Sequence, residues 1–219
     1  MTNTTNHHPD ENMLIEFSAG TLDTAASICV SAHLHFCSSC KAKLLQLDQV
    51  GSHIMSQAEP VDVAEDVFDQ VMEKIDSGID NASADQATND DMPFSVNKLI
   101  GTSLMNKNWK RLSSSVDIAR FKTGQNQFEV ALHKICAGGK TPKHDHDGLE
   151  YTVVLKGSFS DENAVYREGD FLLRQPGDVH QPMGAQNGEC ICLSALSAPI
   201  VPTSPLGFLM KPWLRINPM

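Results

Sequence analysis

Residues 138–150 read GGKTPKHDHDGLE and contain the motif that decides the fold of the C-terminal half. His144 and His146 are two positions apart, so on a β-strand both imidazoles point to one face. Glu150 stands at the start of the next apolar run and can direct its carboxylate back to the same point. His180 comes after a turn at Pro176 and a glycine, and adds a third imidazole. Such a ligand set suits zinc, iron(II), manganese or nickel, and ligand type alone does not choose among them.

The glycines around these histidines resemble the cupin signature, which frames both metal-binding motifs with turns. The matching positions are Gly138, His144, His146, Glu150, Gly157, Gly169, Gly177 and His180. One position departs from the signature, because Gln175 stands where the family has proline and the proline is Pro176. This departure affects the expected turn more than the ligand. The resemblance implies a β-barrel with a metal ion inside it.

The sequence around the motif alternates as expected for short strands. Phe128, Val130 and Leu132 alternate with other residues, and the runs 171–173 and 190–196 continue the period of two. Cys190 and Cys192 share one face of the last run, where they can lie near the metal and react when oxidised. These patterns predict a barrel or a sandwich.

Composition limits the classes of protein to consider. The length of 219 residues allows one large or two modest domains. The first eleven residues are polar, and no apolar stretch is long enough to span a membrane, so we expect a cytoplasmic protein. In that compartment the six cysteines favour metal binding or redox chemistry over a disulfide framework.

Charge is concentrated in the N-terminal third. Residues 1–78 contain 12 acidic and 3 basic side chains, whereas residues 79–219 contain 15 and 14. The acidic part disfavours direct binding to nucleic acid and favours a basic partner, such as a protein that itself binds nucleic acid. A solvated acidic surface explains the same composition equally well.

The acidic part has the periodicity of four helices. We expect them at Asp10–Ala19, from a cap at Thr21 to about Leu34, from Cys37 to about Ser56, and at Val61–Asp76. The fourth is the most amphipathic, with an apolar stripe opposite an acidic face. Such a stripe packs in a core or in the groove of a partner.

A second metal-binding pattern lies between the second and third predicted helices. His33, Cys37 and Cys40 are spaced by four and three residues, which places them on one helical face or around a tight turn. Structural zinc requires four ligands, and either His7 or His8 can supply the fourth.

The order His8, His33, Cys37 and Cys40 resembles the zinc-binding domain of bacterial anti-sigma factors. With a C-terminal cupin, and with residues 17–22 and 190–193, the chain resembles the ChrR family of anti-sigma factors. The resemblance selects His8 as the fourth ligand. It implies Zn²⁺ at the N-terminal site and Zn²⁺ or another divalent metal at the cupin site. It also implies that the front domain sequesters a sigma factor of the extracytoplasmic-function type, and that the cupin is needed for release under singlet oxygen or organic peroxide stress.

The sequence therefore predicts a two-domain α plus β protein, with a four-helix zinc-binding bundle and a cupin β-barrel. The boundaries are a helical anti-sigma domain at 1–76, an acidic linker at 77–93 and a cupin at 94–219. The alternative is a metal-dependent cupin oxygenase with an accessory helical domain. A front domain with its own metal site has no evident use in an oxygenase, which favours a regulator without enzymatic activity.

Overall fold

The computed structural model describes residues 5–79, 92–104 and 109–203, together with 216 and 218. Most of the predicted linker, residues 80–91, lies outside the described residues. The helices are α1 (Glu11–Ser18), α2 (Thr24–Phe36), α3 (Ser38–Ser56), α4 (Val67–Ile79) and α5 (Phe94–Leu104). The strands are β1 (Lys110–Arg111), β2 (Val116–Phe121), β3 (Glu129–Ile135), β4 (His144–His146), β5 (Glu150–Lys156), β6 (Ser158–Ser160), β7 (Val165–Arg167), β8 (Phe171–Arg174), β9 (Met183–Gly184), β10 (Cys190–Leu196) and β11 (Ile200–Pro202). Among the helices of the described residues, none combines the length and apolar composition needed to cross a membrane.

Side-chain caps define where the first two helices begin. Asp10 caps α1 by accepting a backbone N–H three residues later at 2.8 Å. Asp23 caps α2 in the same way at 2.9 Å, so the prediction that Thr21 caps this helix is wrong. The Thr21 hydroxyl instead donates to the carbonyl of Glu16 at 3.3 Å, which fixes the turn between α1 and α2.

The fourth helix differs from its prediction in both bounds and surroundings. It begins at Val67 rather than Val61, after a turn at the acidic residues Glu65 and Asp66, and it continues to Ile79. Acidic side chains at this position favour a helix start. Every residue from 51 to 77 is exposed, so the predicted four-helix bundle is not confirmed. Helices α1, α2 and α3 contact one another, and α5 rather than α4 packs on α2.

Helix α5 occupies a stretch that the sequence analysis assigns to the strand-rich domain. Its Val96 is fully buried in the same apolar cluster as α1 and α2. The helix follows the predicted linker along the chain and packs on a helix that precedes it. The helical part is therefore completed by residues from both sides of the linker.

The C-terminal part contains three antiparallel sheets. The largest has the order β1-β2-β3-β10-β5-β8, a second pairs β11 with β4, and a third has the order β7-β6-β9. The strands predicted at 171–173 and 190–196 are confirmed as β8 and β10. The sheet-rich character of this part is confirmed, whereas a closed barrel stays a prediction.

Each face of the six-stranded sheet has its own apolar cluster. Val153 and Leu193 point toward the helices, whereas their neighbours Val154 and Cys192 point toward the three-stranded sheet. Helix α2 lies on the first face and contacts β5, β8 and β10. Its Cys29 is fully buried there. The helical part and the sheet thus share a continuous core.

Candidate metal centres

The first cluster of possible metal ligands forms where α2 turns into α3. His33 lies in the last turn of α2, Cys37 separates the helices, and Cys40 lies in the first turn of α3. Cys37 has an extended backbone, with φ −102° and ψ 104°, and its Sγ accepts the amide of Cys40 at 3.4 Å. This break lets the three side chains converge. His8 joins them from the segment before α1.

The donor atoms of this first cluster have the spacing of a tetrahedral site. One atom from each residue lies within 4.8 Å of the others. Nδ1 of His8 is 3.4 Å from Sγ of Cys37 and 3.5 Å from Sγ of Cys40. Zinc–sulfur and zinc–nitrogen bonds at tetrahedral angles place such atoms about 3.5 Å apart. The cluster therefore fits a four-coordinate ion without rearrangement of these side chains.

The orientation of His33 supports the same interpretation. Its Nδ1 donates to the carbonyl of Gly169 at 2.6 Å, which leaves a lone pair on Nε2. Nε2 is buried and has no hydrogen-bond partner. Buried polar atoms are rarely left unsatisfied, and a metal ion satisfies this one. Burial also lowers the pKa of His33 to about 4, so the imidazole is neutral and able to bind a metal near pH 7.

The two thiols of the cluster differ in acidity. Burial raises the pKa of Cys37, but hydrogen bonds from Ser39, Thr5 and Cys40 outweigh it and lower the pKa to about 6. Burial raises the pKa of Cys40 to about 11, and the neighbouring Cys37 adds to the increase. The first thiolate therefore forms at Cys37, and a cation in the cluster is needed to favour the second.

The structure distinguishes the two histidines that the spacing leaves open. His8 is in the cluster, whereas the ring of His7 packs on Tyr166 of β7 with 4.9 Å between centroids. His35 lies apart, with its ring 4.9 Å from that of Phe36. The set of donors is the one that the family resemblance implies.

The second cluster is built on strands of the cupin-like part. His144 and His146 lie on β4, Glu150 begins β5, and His180 pairs with His144 in an antiparallel bridge. Nε2 of His180 is 3.2 Å from Nε2 of His144 and 3.1 Å from Nε2 of His146. Oε2 of Glu150 lies 3.2 Å from Nδ1 of His146. One donor from each of the four lies within 4.8 Å of the others.

Hydrogen bonds behind these residues direct their donors toward one point. Nδ1 of His144 donates to the carbonyl of Pro142 at 2.8 Å, and Nδ1 of His180 donates to Asp161 at 3.1 Å. Both rings therefore keep a free Nε2 lone pair. Burial lowers the pKa of His180, which keeps its imidazole neutral. Three imidazole nitrogens and a carboxylate can bind a divalent metal, and the donor set does not specify which one.

The carboxylate of Glu150 is held in an ionised state. Burial raises its pKa, but the facing histidines, His146 first, produce a net decrease. The hydroxyl of Thr152 donates to it at 2.8 Å, and this hydroxyl also contacts Ser194 of β10 at 2.9 Å. Strand β10 thereby helps to position Glu150 through the contact between Ser194 and Thr152.

The sequence analysis did not identify Asp161, which supports this cluster. Its side chain is 0% exposed and accepts hydrogen bonds from His180 and Arg174, the latter at 2.9 Å. Asp161 lies in a turn between β6 and β7 with no metal-ligand spacing to any histidine. Only the folded arrangement brings it behind His180.

Cys190 and Cys192 are both buried on the face of β10 that also carries Ser194. Their sulfur atoms are 3.7 Å apart and both thiols are free. The contact with Cys190, reinforced by burial, raises the pKa of Cys192. They pack in the second apolar cluster, outside the set of four possible ligands.

The chain is similar to known proteins over most of its length. Residues 98–198 match the family model described as the ChrR Cupin-like domain. The curated anti-sigma-E factor ChrR of Cereibacter sphaeroides is 33% identical over 213 residues, which cover 97% of this chain and 100% of that protein. A crystal structure of Rhodobacter sphaeroides SigE in complex with the anti-sigma ChrR matches with 32% identity and a TM-score of 0.75, covering 88% of this chain and 100% of that chain. The similarity spans the helical and the strand-rich parts, and a cupin-like fold is confirmed.

Proposed function

This chain belongs to the ChrR family of anti-sigma factors, and we propose that it sequesters an extracytoplasmic-function-type sigma factor in the cytoplasm. Bound in this way, the sigma factor is kept from the RNA polymerase core. The role is regulatory rather than enzymatic. The relative of known structure was crystallised with SigE, which supports a sigma factor as the partner.

The observation that carries the proposal is the uncovered apolar stripe of α4. Its exposed fractions are 71% for Phe68, 47% for Val71, 41% for Met72 and 48% for Ile75. An amphipathic helix of this kind binds in a groove of a partner protein through residues spaced by three and four positions. The C-terminal half of α3 also has exposed apolar residues, such as Ile54 at 66%.

The charge around this stripe favours a basic partner. Asp69 and Glu73 lie on α4, and the N-terminal 78 residues contain 12 acidic against 3 basic side chains. A sigma factor must itself contact DNA, so its surface is basic in places. Electrostatic attraction then increases the association rate, while the apolar stripe supplies most of the affinity.

The test starts with the full chain purified from the native cytoplasm and identification of the protein that accompanies it. Affinity for that protein is then measured for Phe68→Asp and for the control Phe94→Asp, which changes an equally exposed phenylalanine on α5. Loss of an interface aromatic costs about 2 kcal/mol or more, or roughly 30-fold in Kd. We expect this loss for Phe68→Asp only. Equal affinities for both variants would contradict docking through α4.

We also propose that each cluster holds one metal ion. His8, His33, Cys37 and Cys40 bind Zn²⁺, and their two thiols and two imidazoles are a donor set typical of structural zinc. The cupin-like cluster of His144, His146, Glu150 and His180 binds Zn²⁺ or another divalent metal. Elemental analysis after purification without chelator should give two ions per chain, and one or none would contradict the assignment.

For the domains, we propose a front unit that binds the sigma factor alone, followed by the linker and the cupin-like unit. The proposed boundaries are 1–76, 77–93 and 94–219. A fragment for this test should extend to residue 79, because α4 ends at Ile79. A pull-down in which only the cupin-like fragment retained the sigma factor would reverse the assignment of roles.

Release is proposed to depend on the cupin-like unit and to follow singlet oxygen or organic peroxide stress. The candidate groups for sensing are its metal cluster and the buried pair Cys190 and Cys192, whose sulfur atoms lie 3.7 Å apart. In Glu150→Ala and His180→Ala, stress should cause no further increase in sigma-dependent transcription. Sigma-dependent transcription before and after stress measures this, and normal induction in both variants would remove the cupin metal from the mechanism.

A further inference from the structure

The segment that carries His8 is held by the cupin-like part of the chain. Asp170 is fully buried, and its Oδ1 accepts the backbone N–H groups of Asn6 at 2.7 Å and His7 at 3.1 Å. The N–H of Phe171 donates to the carbonyl of His7 at 3.0 Å. Residues 6 and 7 are thus bonded to the start of β8, immediately before a donor of the front cluster.

The same turn orients a second donor of the front cluster. The carbonyl of Gly169 accepts Nδ1–H of His33, so two of the four front donors depend on residues 169–171. Gly169 has φ +89°, and a Cβ there would lie 2.6 Å from Cβ of Phe36. Glycine is therefore required for this close approach between α2 and the turn.

The segment that contains His7 is connected to the cupin-like cluster through one buried carboxylate, that of Asp161. Asp161 accepts from Nδ1 of His180 at 3.1 Å and from the hydroxyl of Tyr166 at 3.3 Å. Arg174 donates to both Asp161 at 2.9 Å and the Tyr166 oxygen at 2.7 Å. The ring of Tyr166 in turn packs on His7. A continuous series of contacts runs from His180 to the residue before His8.

We propose that Asp161 and Tyr166 are positioning residues that couple the two metal clusters, and we name this connection the Asp161–Tyr166 link. The proposal rests on metal binding as given under the proposed function. A change at His180 alters how Asp161 is held, and the tyrosine then alters the packing of His7. The front cluster loses its ion more readily as a result.

Burial gives the link its sensitivity. The Asp161 side chain is 0% exposed, so a hydrogen bond lost from His180 is not replaced by bulk water. Arg174 bonds the same Oδ2 as His180, whereas the Tyr166 hydroxyl and the amides of residues 163 and 164 bond Oδ1, so these partners alone then hold the carboxylate. Hydrogen-bonded networks of this kind have discrete arrangements rather than graded ones.

The experiment uses the full chain loaded with Co²⁺ as a spectroscopic probe. Of the two clusters, only the front one contains cysteines, so thiolate-to-cobalt absorption distinguishes it from the cupin-like cluster. Its decay after addition of excess chelator gives the dissociation rate of the front ion. Loss of an outer hydrogen bond changes metal affinity by about 10- to 100-fold in known sites.

We expect His180→Ala to accelerate this decay by about tenfold. His144→Ala is the matched control, because it removes a ligand of the same cluster but leaves His180 bonded to Asp161. Its effect should be clearly smaller. In a Tyr166→Phe background, which removes the hydroxyl and keeps the ring against His7, His180→Ala should add nothing further.

Equal acceleration by His180→Ala and His144→Ala would overturn the link, because metal loss alone would then explain both. Additive effects of His180→Ala and Tyr166→Phe would overturn it as well, as would no change in any variant. Absence of the thiolate–cobalt band in the unmodified chain would refute the front metal site and the link together. If the variants show the expected decay rates but the chain binds no sigma factor, the link is supported and only the proposed partner is refuted.

Discussion

The two metal clusters are built on different kinds of support. The cupin-like cluster takes three of its donors from strands β4 and β5, and a bridge between His144 and His180 fixes the fourth. The front cluster takes its donors from a segment before α1, the end of α2, the α2–α3 break and the start of α3. The first cluster is built on paired strands, whereas the second joins the segment before α1 to the break between α2 and α3.

Because of this difference, we expect a metal ion to contribute differently to folding in the two clusters. The sheet has apolar clusters on both faces, which hold it together whether or not a metal is bound. The front part has a short α1 and an α4 that is exposed throughout residues 67–77. Metal binding and folding are therefore coupled more tightly in the front part than in the sheet.

The largest effect is expected for Cys37→Ser. This change removes a possible ligand and the lower-pKa thiol in one step, whereas the serine hydroxyl can still cap α3. We expect loss of the front ion, with several kcal/mol of stability lost in the helical part. Elemental analysis and thermal unfolding measure both effects. Cys136→Ser is the control, because that thiol is exposed and outside both clusters, and two ions with unchanged unfolding are expected.

The corresponding change in the cupin-like cluster should affect metal binding there but not the fold of the sheet. His144→Ala removes one of its four possible ligands, and we expect one ion per chain instead of two. The sheet should remain folded because its apolar clusters do not include this residue. Circular dichroism with metal analysis tests the contrast. Collapse of the sheet in His144→Ala, equal to the damage in Cys37→Ser, would refute the distinction between the clusters.

The contact between the two parts can be tested at Gly169. Alanine there imposes left-handed strain at φ +89° and a clash with Phe36. Gly177 also has a positive φ, +97°, but nothing lies within 4 Å of a Cβ at that position. Gly177→Ala should cost about 1–2 kcal/mol from backbone strain alone. Gly169→Ala should cost about 1–3 kcal/mol more, from overpacking. Denaturant unfolding of both variants gives the difference in their free energies of unfolding. Equal values would show that the contact with Phe36 adjusts to the added methyl group without further loss of stability.

The sequence points to residues that lie close together in the structure because both motifs are largely local. His144 and His146 share a strand face, and His33, Cys37 and Cys40 surround the break between α2 and α3, so short-range geometry is sufficient to bring each set together. The strands with clear alternation, such as β10, are likewise confirmed. Family resemblance supplied the choice of His8, which spacing leaves open.

Long-range features lay beyond this reasoning. Asp161 and Asp170 support donors that are distant in sequence, and no spacing marks an aspartate for that role. Helix α5 packs on α2 across the predicted linker, and periodicity does not reveal which helix fills that place. The apolar stripe of α4 was compatible with a core or a partner's groove, and only its exposure distinguishes the two.

The smallest effect should come from the cap of α1, and it sharpens the comparison further. Asp10→Ala removes the side-chain acceptor two residues after His8 and should cost about 1 kcal/mol. In a chain of this size, that corresponds to a decrease of about 2–4 °C in Tm. Asp10→Asn keeps an acceptor oxygen and is the matched control. Because α1 supports only the front cluster, chelator should remove the front ion faster from Asp10→Ala while the cupin-like ion dissociates at its normal rate. Faster loss of both ions would mean that the two supports are less independent than their separate elements indicate.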